Sequence, residues 1–431
     1  MNGAVNIGVF LNRRIKLIGL SRSCLPLINF CTMNKDIAQL YKIASKDSRK
    51  IIGLMSGTSM DGLDIALCDC KNSGSATQLT LLNFITIPYA DDFRADVKSI
   101  FARKDADLEK VCLLNELIGF KHAEMILQIL QEWGIAVADV DVIASHGQTI
   151  FHAPIHLHSL AHYPNATLQI GDGDHIAVKT GIITLSDFRQ KHLAAGGEGA
   201  PLAVYGDYLV FSKEGEDRVM LNIGGIANFT FLPGDKDATK VFSTDVGPGN
   251  TLMDHFIQLH YPGTYYDKDA VLAKSGELNE TLLIALLDHE FFKADFPKTT
   301  GPELFNLGYL KKAQESSGTL MLSHQDVLAT LCHFSAIAIA NAIKQTVDLA
   351  AMPKIFMSGG GMHNPLLVAL LEKALPQASF STTADLAINP DAKEAVLFAL
   401  LANETLAGNP INFGDREGVP SVCMGKISLP N

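Results

Sequence analysis

The stretch Ile51-Ile52-Gly53-Leu54-Met55-Ser56-Gly57-Thr58-Ser59-Met60-Asp61-Gly62-Leu63-Asp64 decides how this chain is read. An apolar run over 51–55 stops at a polar, glycine-rich tip. Residues 63–70 then alternate, with Leu63, Ile65 and Leu67 on one side. That is the pattern of a β-hairpin. A second hairpin stands in mid-chain: a strand over 218–222, the turn Ile223-Gly224-Gly225-Ile226, and a returning strand over 227–232. A short strand over 354–357 then meets Gly359-Gly360-Gly361, and Pro365 suits the first turn of a helix.

Glycine lets a backbone approach a ligand closely and adopt positive φ, so N–H groups can converge on phosphate oxygens. Each glycine group follows a strand, and the third is expected to lead to a helix N-terminus, where the dipole favours phosphate. Any one loop would serve equally as a tight turn. Two similar hairpins followed by a strand–Gly–helix unit point to a duplicated fold closing on a nucleotide between two halves. Neither the P-loop pattern nor the dinucleotide fingerprint is present.

Outward from these loops the chain alternates strands and helices. Strands are expected over 79–87, 140–145, 167–170, 181–187 and 241–245. A long helix is expected over 108–133, where Leu108, Val111, Leu114 and Ile118 repeat at helical spacing and Gly134 can stop it. Ser323 and Asp326 make a capping-box-like start for a helix running to about residue 350.

At 431 residues the length fits two or three domains of roughly 100–200 residues each. Hydrophobic residues make up 47% and charged residues 19%, which disfavours a disordered chain. The net charge of −11 disfavours a protein that lives on nucleic-acid backbone. No run of 18 or more apolar residues suggests a membrane span. The seven cysteines are odd in number and form no C-x-x-C pair, which reads as a reducing, cytoplasmic compartment. Residues 1–32 carry Arg13, Arg14, Lys16 and Arg22 and no acid. We read them as an over-long gene start ahead of Met33, in preference to a leader, and treat 1–50 as an N-terminal extension.

Acidic residues sit where the loops converge. Asp61 and Asp245 could each hold Mg²⁺ through water, or serve as turn and capping residues. Asp187 ends a strand, where α/β proteins bind ligands, and is a candidate general base; an ion pair with Arg189 fits it equally. Six histidines crowd 146–175, but their spacing supports no zinc site. His146, between a buried strand and Gly147, belongs nearest a substrate.

The quoted opening resembles the N-terminal signature of the anhydro-N-acetylmuramic acid kinases. Later blocks agree in order: Ser145-His146-Gly147-Gln148-Thr149, Leu168-Gln169-Ile170-Gly171-Asp172, Asp187-Phe188-Arg189, Gly199-Ala200-Pro201-Leu202, Asn222-Ile223-Gly224-Gly225-Ile226-Ala227-Asn228, Asp245-Val246-Gly247-Pro248-Gly249-Asn250 and Ser358-Gly359-Gly360-Gly361. The resemblance covers about 51–426. It implies two duplicated ribonuclease-H-like α/β domains of the sugar kinase/actin superfamily around an interdomain cleft. One domain is expected over 51–186, joined by 410–431, and the other over 187–409.

The resemblance further implies an ATP- and Mg²⁺-dependent enzyme. It would open the 1,6-anhydro ring of anhydro-N-acetylmuramic acid with water, phosphorylate O6, and act in cell-wall recycling as a homodimer. Gly57, Thr58, Ser59, Met60, Asp61, Gly62, Leu63 and Asp64 match the ATP-binding segment, joined by Gly224, Gly225, Gly359 and Gly360. Asp187 matches the base that activates water. Thr58, Ser59, Asp61, His146, Arg189 and Glu394 match positions near the sugar. Two departures stand out: Pro302 where a basic residue is expected, and Glu198 where Gln is expected. An ordinary amino-sugar kinase and a non-catalytic ATP-dependent sensor are the rival readings.

Overall fold

The computed structural model describes residues 33–57, 60–199, 202–386, 392–415 and 418–431, apart from the side chains of His156 and Ala203. The expectations for 1–32, Thr58 and Ser59 lie outside the described residues.

The strands are β1 (Ser48–Met55), β2 (Gly62–Lys71), β3 (Gln78–Pro88), β4 (Val142–Ser145), β5 (Gln148–Ala153), β6 (Ala166–Ile170) and β7 (Thr184–Ser186). They continue with β8 (Arg218–Ile223), β9 (Ile226–Leu232), β10 (Phe242–Pro248), β11 (Lys354–Ser358), β12 (Ser379–Thr382) and β13 (Lys426–Ser428). One sheet has the order β13-β7-β4-β1-β2-β3, and another has β10-β9-β8-β11-β12; β5 and β6 form a separate pair.

The two large sheets repeat one plan. In the first, β1 is antiparallel to β2, β2 to β3, while β1, β4 and β7 run parallel. In the second, β8 is antiparallel to β9, β9 to β10, while β8, β11 and β12 run parallel. Each half therefore has a hairpin-plus-third-strand meander and two parallel strands added by crossovers. That is the duplicated ribonuclease-H-like architecture of the sugar kinase/actin superfamily. Strand β13 is an antiparallel addition to the first sheet's edge.

The helices Ala203–Phe211 and Lys393–Ala407 lie between the sheets. Their buried side chains share one core with Ile51, Val142 and Leu185 of the first sheet and Met220, Leu232 and Phe356 of the second. Fully burying a Leu or Phe contributes about 1.5–3 kcal/mol, whereas an exposed ion pair gives about 0–1, so apolar burial holds the halves together. The span 187–409, read from sequence as one domain, thus sends two helices into the layer shared by both sheets. The far face of the first sheet packs beneath the helix Leu108–Glu132. The second sheet's core is the helix His324–Thr346, which by length and composition could cross a membrane but is mostly buried.

Several element ends differ from the periodicity reading. Strand β7 is shorter because Gly181 caps the preceding helix at φ 74° and Asp187 leaves the extended region at φ 51°. The helix from His324 ends at Thr346, where Val347 turns extended; its start keeps the expected Ser323 cap, which accepts from Asp326 N at 3.1 Å. The third glycine loop enters a 3₁₀ turn, Gly360–His363, before the helix Pro365–Ala374 begins.

Candidate active site

Parallel register brings the first-sheet residues to one edge. Leu54 lies opposite Ser145, Ser145 opposite Ser186, and Ser186 opposite Lys426. The residues that follow on β1, β4 and β7 therefore emerge together: Ser56, His146 and Asp187. This is the carboxyl end of the sheet, where open α/β folds place their ligands.

The tip of the first hairpin is held from below by a buried chain of side chains. The His122 ring meets Tyr89 OH at 2.8 Å, and Tyr89 OH donates to Ser56 Oγ at 3.0 Å. Ser56 Oγ donates to Gln148 Oε1 at 2.6 Å, and Gln148 Nε2 donates to the Gly57 carbonyl at 3.2 Å. Met60 N closes the turn on the same carbonyl at 3.2 Å. Burial pushes the Tyr89 phenol up and holds His122 down to about 4, so both stay neutral near pH 7.

The segment 57–64 divides by role. Met60, at φ 57°, buries its side chain among Val97, Leu114, Ile118 and Ile150, and Leu63 points into the core below β1. Only the backbone of these two can meet a ligand. Gly62 cannot carry a side chain, since a Cβ there would lie 2.4 Å from the Ile87 carbonyl oxygen. Asp64 accepts from Thr86 Oγ1 at 2.5 Å. Asp61 is open to solvent, with its side chain 72% exposed, and faces Arg94 at 3.3 Å.

The second-half loops converge on Ile223. Asn250 N donates to the Gly224 carbonyl at 2.8 Å, while Gly249 N and Thr251 N donate to that of Gly225 at 2.9 and 3.1 Å. Gly359, at φ 79°, lies so close that a Cβ would meet Asn222 Oδ1 and the Ile223 carbonyl oxygen, each at 2.7 Å. The hairpin 224–225, the segment 249–251 and the loop 359–361 thus form one packed cradle of backbone. The helix Pro365–Ala374 does not present its first amides to that cradle. Asn364 Oδ1 already accepts from Leu366 N and Leu367 N at 3.1 and 3.0 Å. The third loop therefore offers a ligand its own backbone and not those two amides.

Asp187 is the N-cap of the helix Phe188–Ala194, yet its carboxylate caps nothing. It also does not pair with Arg189. Its Oδ2 is 2.5 Å from Lys426 Nζ, and its Oδ1 is buried without a hydrogen-bond partner among the described residues. Arg189 turns the other way. It donates to the Gly199 carbonyl at 2.6 Å and approaches His146 Nε2 through Nε at 3.2 Å and Nη2 at 3.1 Å.

Gln169 Nε2 donates to the His146 carbonyl and reaches His146 Nε2, both at 2.9 Å. Donors from two side chains therefore converge on Nε2, which must be an acceptor, so the ring is neutral with its proton on Nδ1. Burial first, then Arg189, lowers the His146 pKa to about 3.

Glu394 opens the helix Lys393–Ala407 and is exposed by area, yet recessed enough that desolvation pushes its carboxyl up, opposed by Arg189 and assisted by Asp64. Those influences place Arg189, Asp64 and Glu394 in one neighbourhood. Asp245 belongs to the other half. Its Oδ2 accepts from Thr300 N at 2.9 Å, and burial and Glu303 raise its pKa. Among the described residues no three His, Cys, Asp or Glu side chains gather as a direct metal-ligand set. Other histidines of 146–175 are engaged separately: His152 meets Thr167 Oγ1, His158 Nδ1 accepts from Leu160 N, and His175 lies beside Asp172 and Glu116.

The family model for anhydro-N-acetylmuramic acid kinase matches residues 49–428. The chain belongs to this family. It is 55% identical over 93% of its length to the whole of the anhydro-N-acetylmuramic acid kinase of Pseudoalteromonas atlantica. It is 39% identical over 91% of its length to the whole of that of Caldanaerobacter subterraneus subsp. tengcongensis. Among solved structures, the activator of 2-hydroxyisocaproyl-CoA dehydratase from Clostridium difficile with bound ADPNP matches at TM-score 0.34 and 12% identity, over 83% of this chain and 95% of that one.

As a member of the anhydro-N-acetylmuramic acid kinase family the chain is an ATP-using phosphotransferase with an alcohol acceptor. Sequence reasoning did not single out Lys426, Tyr89 or His122, whose partners lie far along the chain. Gln148 and Gln169 stood inside the blocks that resemble the family, and that was the available signal.

Proposed function

We propose that this enzyme hydrolytically opens the 1,6-anhydro ring of anhydro-N-acetylmuramic acid and phosphorylates O6, yielding N-acetylmuramic acid 6-phosphate and ADP. The observation that carries the reading is Asp187: a carboxylate at the sheet's ligand-binding edge, with one buried oxygen that, among the described residues, neither caps a helix nor meets a cation. Asp187 Oδ1 takes a proton from water as the water oxygen bonds to the anomeric carbon. The bond from that carbon to O6 breaks, and O6 takes the γ-phosphoryl group as ADP leaves. The proton on Asp187 then passes to solvent, which balances the reaction.

His146, Arg189 and Glu394 orient the sugar beside Asp187, and the family resemblance assigns Thr58, Ser59 and Asp61 to the sugar and γ-phosphate. The backbone of 57–64, 224–225 and 359–360 cradles the nucleotide, and positioning supplies much of the rate. The chemistry of the donors fits Mg²⁺ held mainly by phosphate oxygens and water, with Asp61 or Asp245 as an outer partner. When bound, the ion offsets charge on the phosphates. The same reading carries a role in peptidoglycan recycling, a cytoplasmic setting and a homodimer, on family membership.

ADP release with Mg²⁺-ATP and three sugars tests it: anhydro-N-acetylmuramic acid, N-acetylmuramic acid and N-acetylglucosamine. Turnover with the anhydro sugar alone, incorporation of ¹⁸O from labelled water at C1, and loss of both in Asp187→Asn are expected. Turnover with an ordinary amino sugar in its place would sink the ring-opening step, and nucleotide binding without sugar-dependent turnover would point to a sensor.

A further inference from the structure

Two residues that are 239 positions apart meet at the base: Lys426 Nζ lies 2.5 Å from Asp187 Oδ2. The pair is built by backbone. Strand β13 runs antiparallel to β7 with Lys426 opposite Ser186, which sets Lys426 beside the next residue, Asp187. Asp187 itself is left-handed, at φ 51° and ψ 49°, a region that Asp tolerates better than most residues but that needs support from its surroundings.

The approach of Lys426 is fixed on its other side. Gly425, at φ 107°, packs on the Phe188 ring, where a Cβ would sit 3.2 Å from the ring edge, and Thr405 Oγ1 donates to the Met424 carbonyl at 2.5 Å. The two carboxylate oxygens are thereby distinguished. Oδ2 meets the ammonium, and Oδ1 is buried with no hydrogen-bond partner among the described residues.

We propose that Lys426 is a positioning residue for the reaction: by holding Oδ2 it fixes the rotation of the Asp187 carboxylate and presents Oδ1 to the attacking water. This rests on the reading of Asp187 as the base. The Lys426 side chain is 64% exposed, and an ion pair that open contributes little to stability. Its consequence belongs to catalysis, where small misplacement of a reacting group costs rate steeply.

The test uses the full-length enzyme with Mg²⁺-ATP and the anhydro sugar, comparing wild type, Lys426→Ala, Lys426→Arg and Asp187→Asn. Lys426→Ala is expected to lower kcat about 10- to 100-fold, with both KM values within about twofold and the melting temperature unchanged. Lys426→Arg should recover most of the rate, and propylammonium should restore Lys426→Ala saturably, since the site opens to solvent. A Lys426→Ala enzyme with wild-type kcat beside an inactive Asp187→Asn overturns the role of Lys426 alone. So does a loss that appears in KM or melting temperature and resists both rescues. Wild-type turnover by Asp187→Asn overturns the base and this proposal with it.

Discussion

Gly53, in the central strand of the first sheet, lies directly under Ala395: a Cβ on Gly53 would sit 1.9 Å from the Ala395 carbonyl oxygen. The strand and the helix Lys393–Ala407 meet backbone to backbone, one residue after Glu394. A side chain at position 53 must push back the helix that carries this acid.

Gly53→Ala is therefore expected to cost about 1–3 kcal/mol, as overpacking of a tight core does. It should also lower activity on the sugar more than on nucleotide binding, because Glu394 moves with its helix. Urea unfolding and separate KM values for sugar and ATP check this. Unchanged stability would show that the helix can slide freely on β1.

The chain from His122 to the Gly57 carbonyl makes a second prediction. Tyr89→Phe keeps the ring but removes the hydroxyl that links His122 Nε2 to Ser56 Oγ. Leaving buried polar groups unpaired costs about 1–3 kcal/mol. The variant should lose stability on that scale and bind ATP more weakly, with kcat at saturating ATP changed less. A wild-type KM for ATP would mean the loop holds its shape without the chain.

Stability should fall on the acid side. His122 and His146 have ordinary values near 6.5 lowered by burial to about 4 and about 3 in the fold. The unfolded chain then binds more protons than the native one between those limits, so the stabilisation is complete above pH 6.5 and is lost as pH falls toward 4 and 3. Each histidine is worth about 2 kcal/mol between pH 7 and pH 5. The raised carboxyls of Glu394 and Asp245 act in the opposite sense over the upper carboxylate range. Denaturant unfolding at pH 7 and pH 5 should show the fall, and His122→Phe should flatten its slope. A slope equal to wild type in that variant would assign the fall to other groups.

Both hairpins were legible in the sequence because β-alternation and glycine punctuation are local signals. The start of β1 was not. Ser48, Arg49 and Lys50 look polar, but Arg49 is buried and donates to Asn403 Oδ1 and the Asn72 carbonyl, each at 2.8 Å. Such partners cannot be read from neighbours in the chain. The place of the helix Lys393–Ala407 was not legible for a related reason. It is buried nearly all round, so it shows no polar face to say which sheet it joins. Asp187 was visible as a carboxylate at a strand end. Its partner was not, because antiparallel pairing of β7 with β13 arises only when the chain has folded. The capping of Asn364 likewise decides the third loop through side-chain geometry that glycine spacing does not report.

Gly359 and Gly318 separate a glycine needed for close approach from one needed only for its conformation. Both have positive φ, 79° and 69°. An alanine Cβ at 318 would meet nothing within 4 Å, whereas at 359 it would strike Asn222 Oδ1 and the Ile223 carbonyl oxygen at 2.7 Å. Gly318→Ala should therefore cost about 1–2 kcal/mol of left-handed strain and leave KM for ATP unchanged. Gly359→Ala carries the same strain and also displaces the cradle formed with 224–225 and 249–251. Its KM for ATP should rise at least about tenfold, the scale on which about 1.4 kcal/mol of binding is lost. Equal nucleotide affinity in the two variants, measured by calorimetric titration of folded protein, would remove loop 359–361 from the nucleotide site while leaving the fold intact.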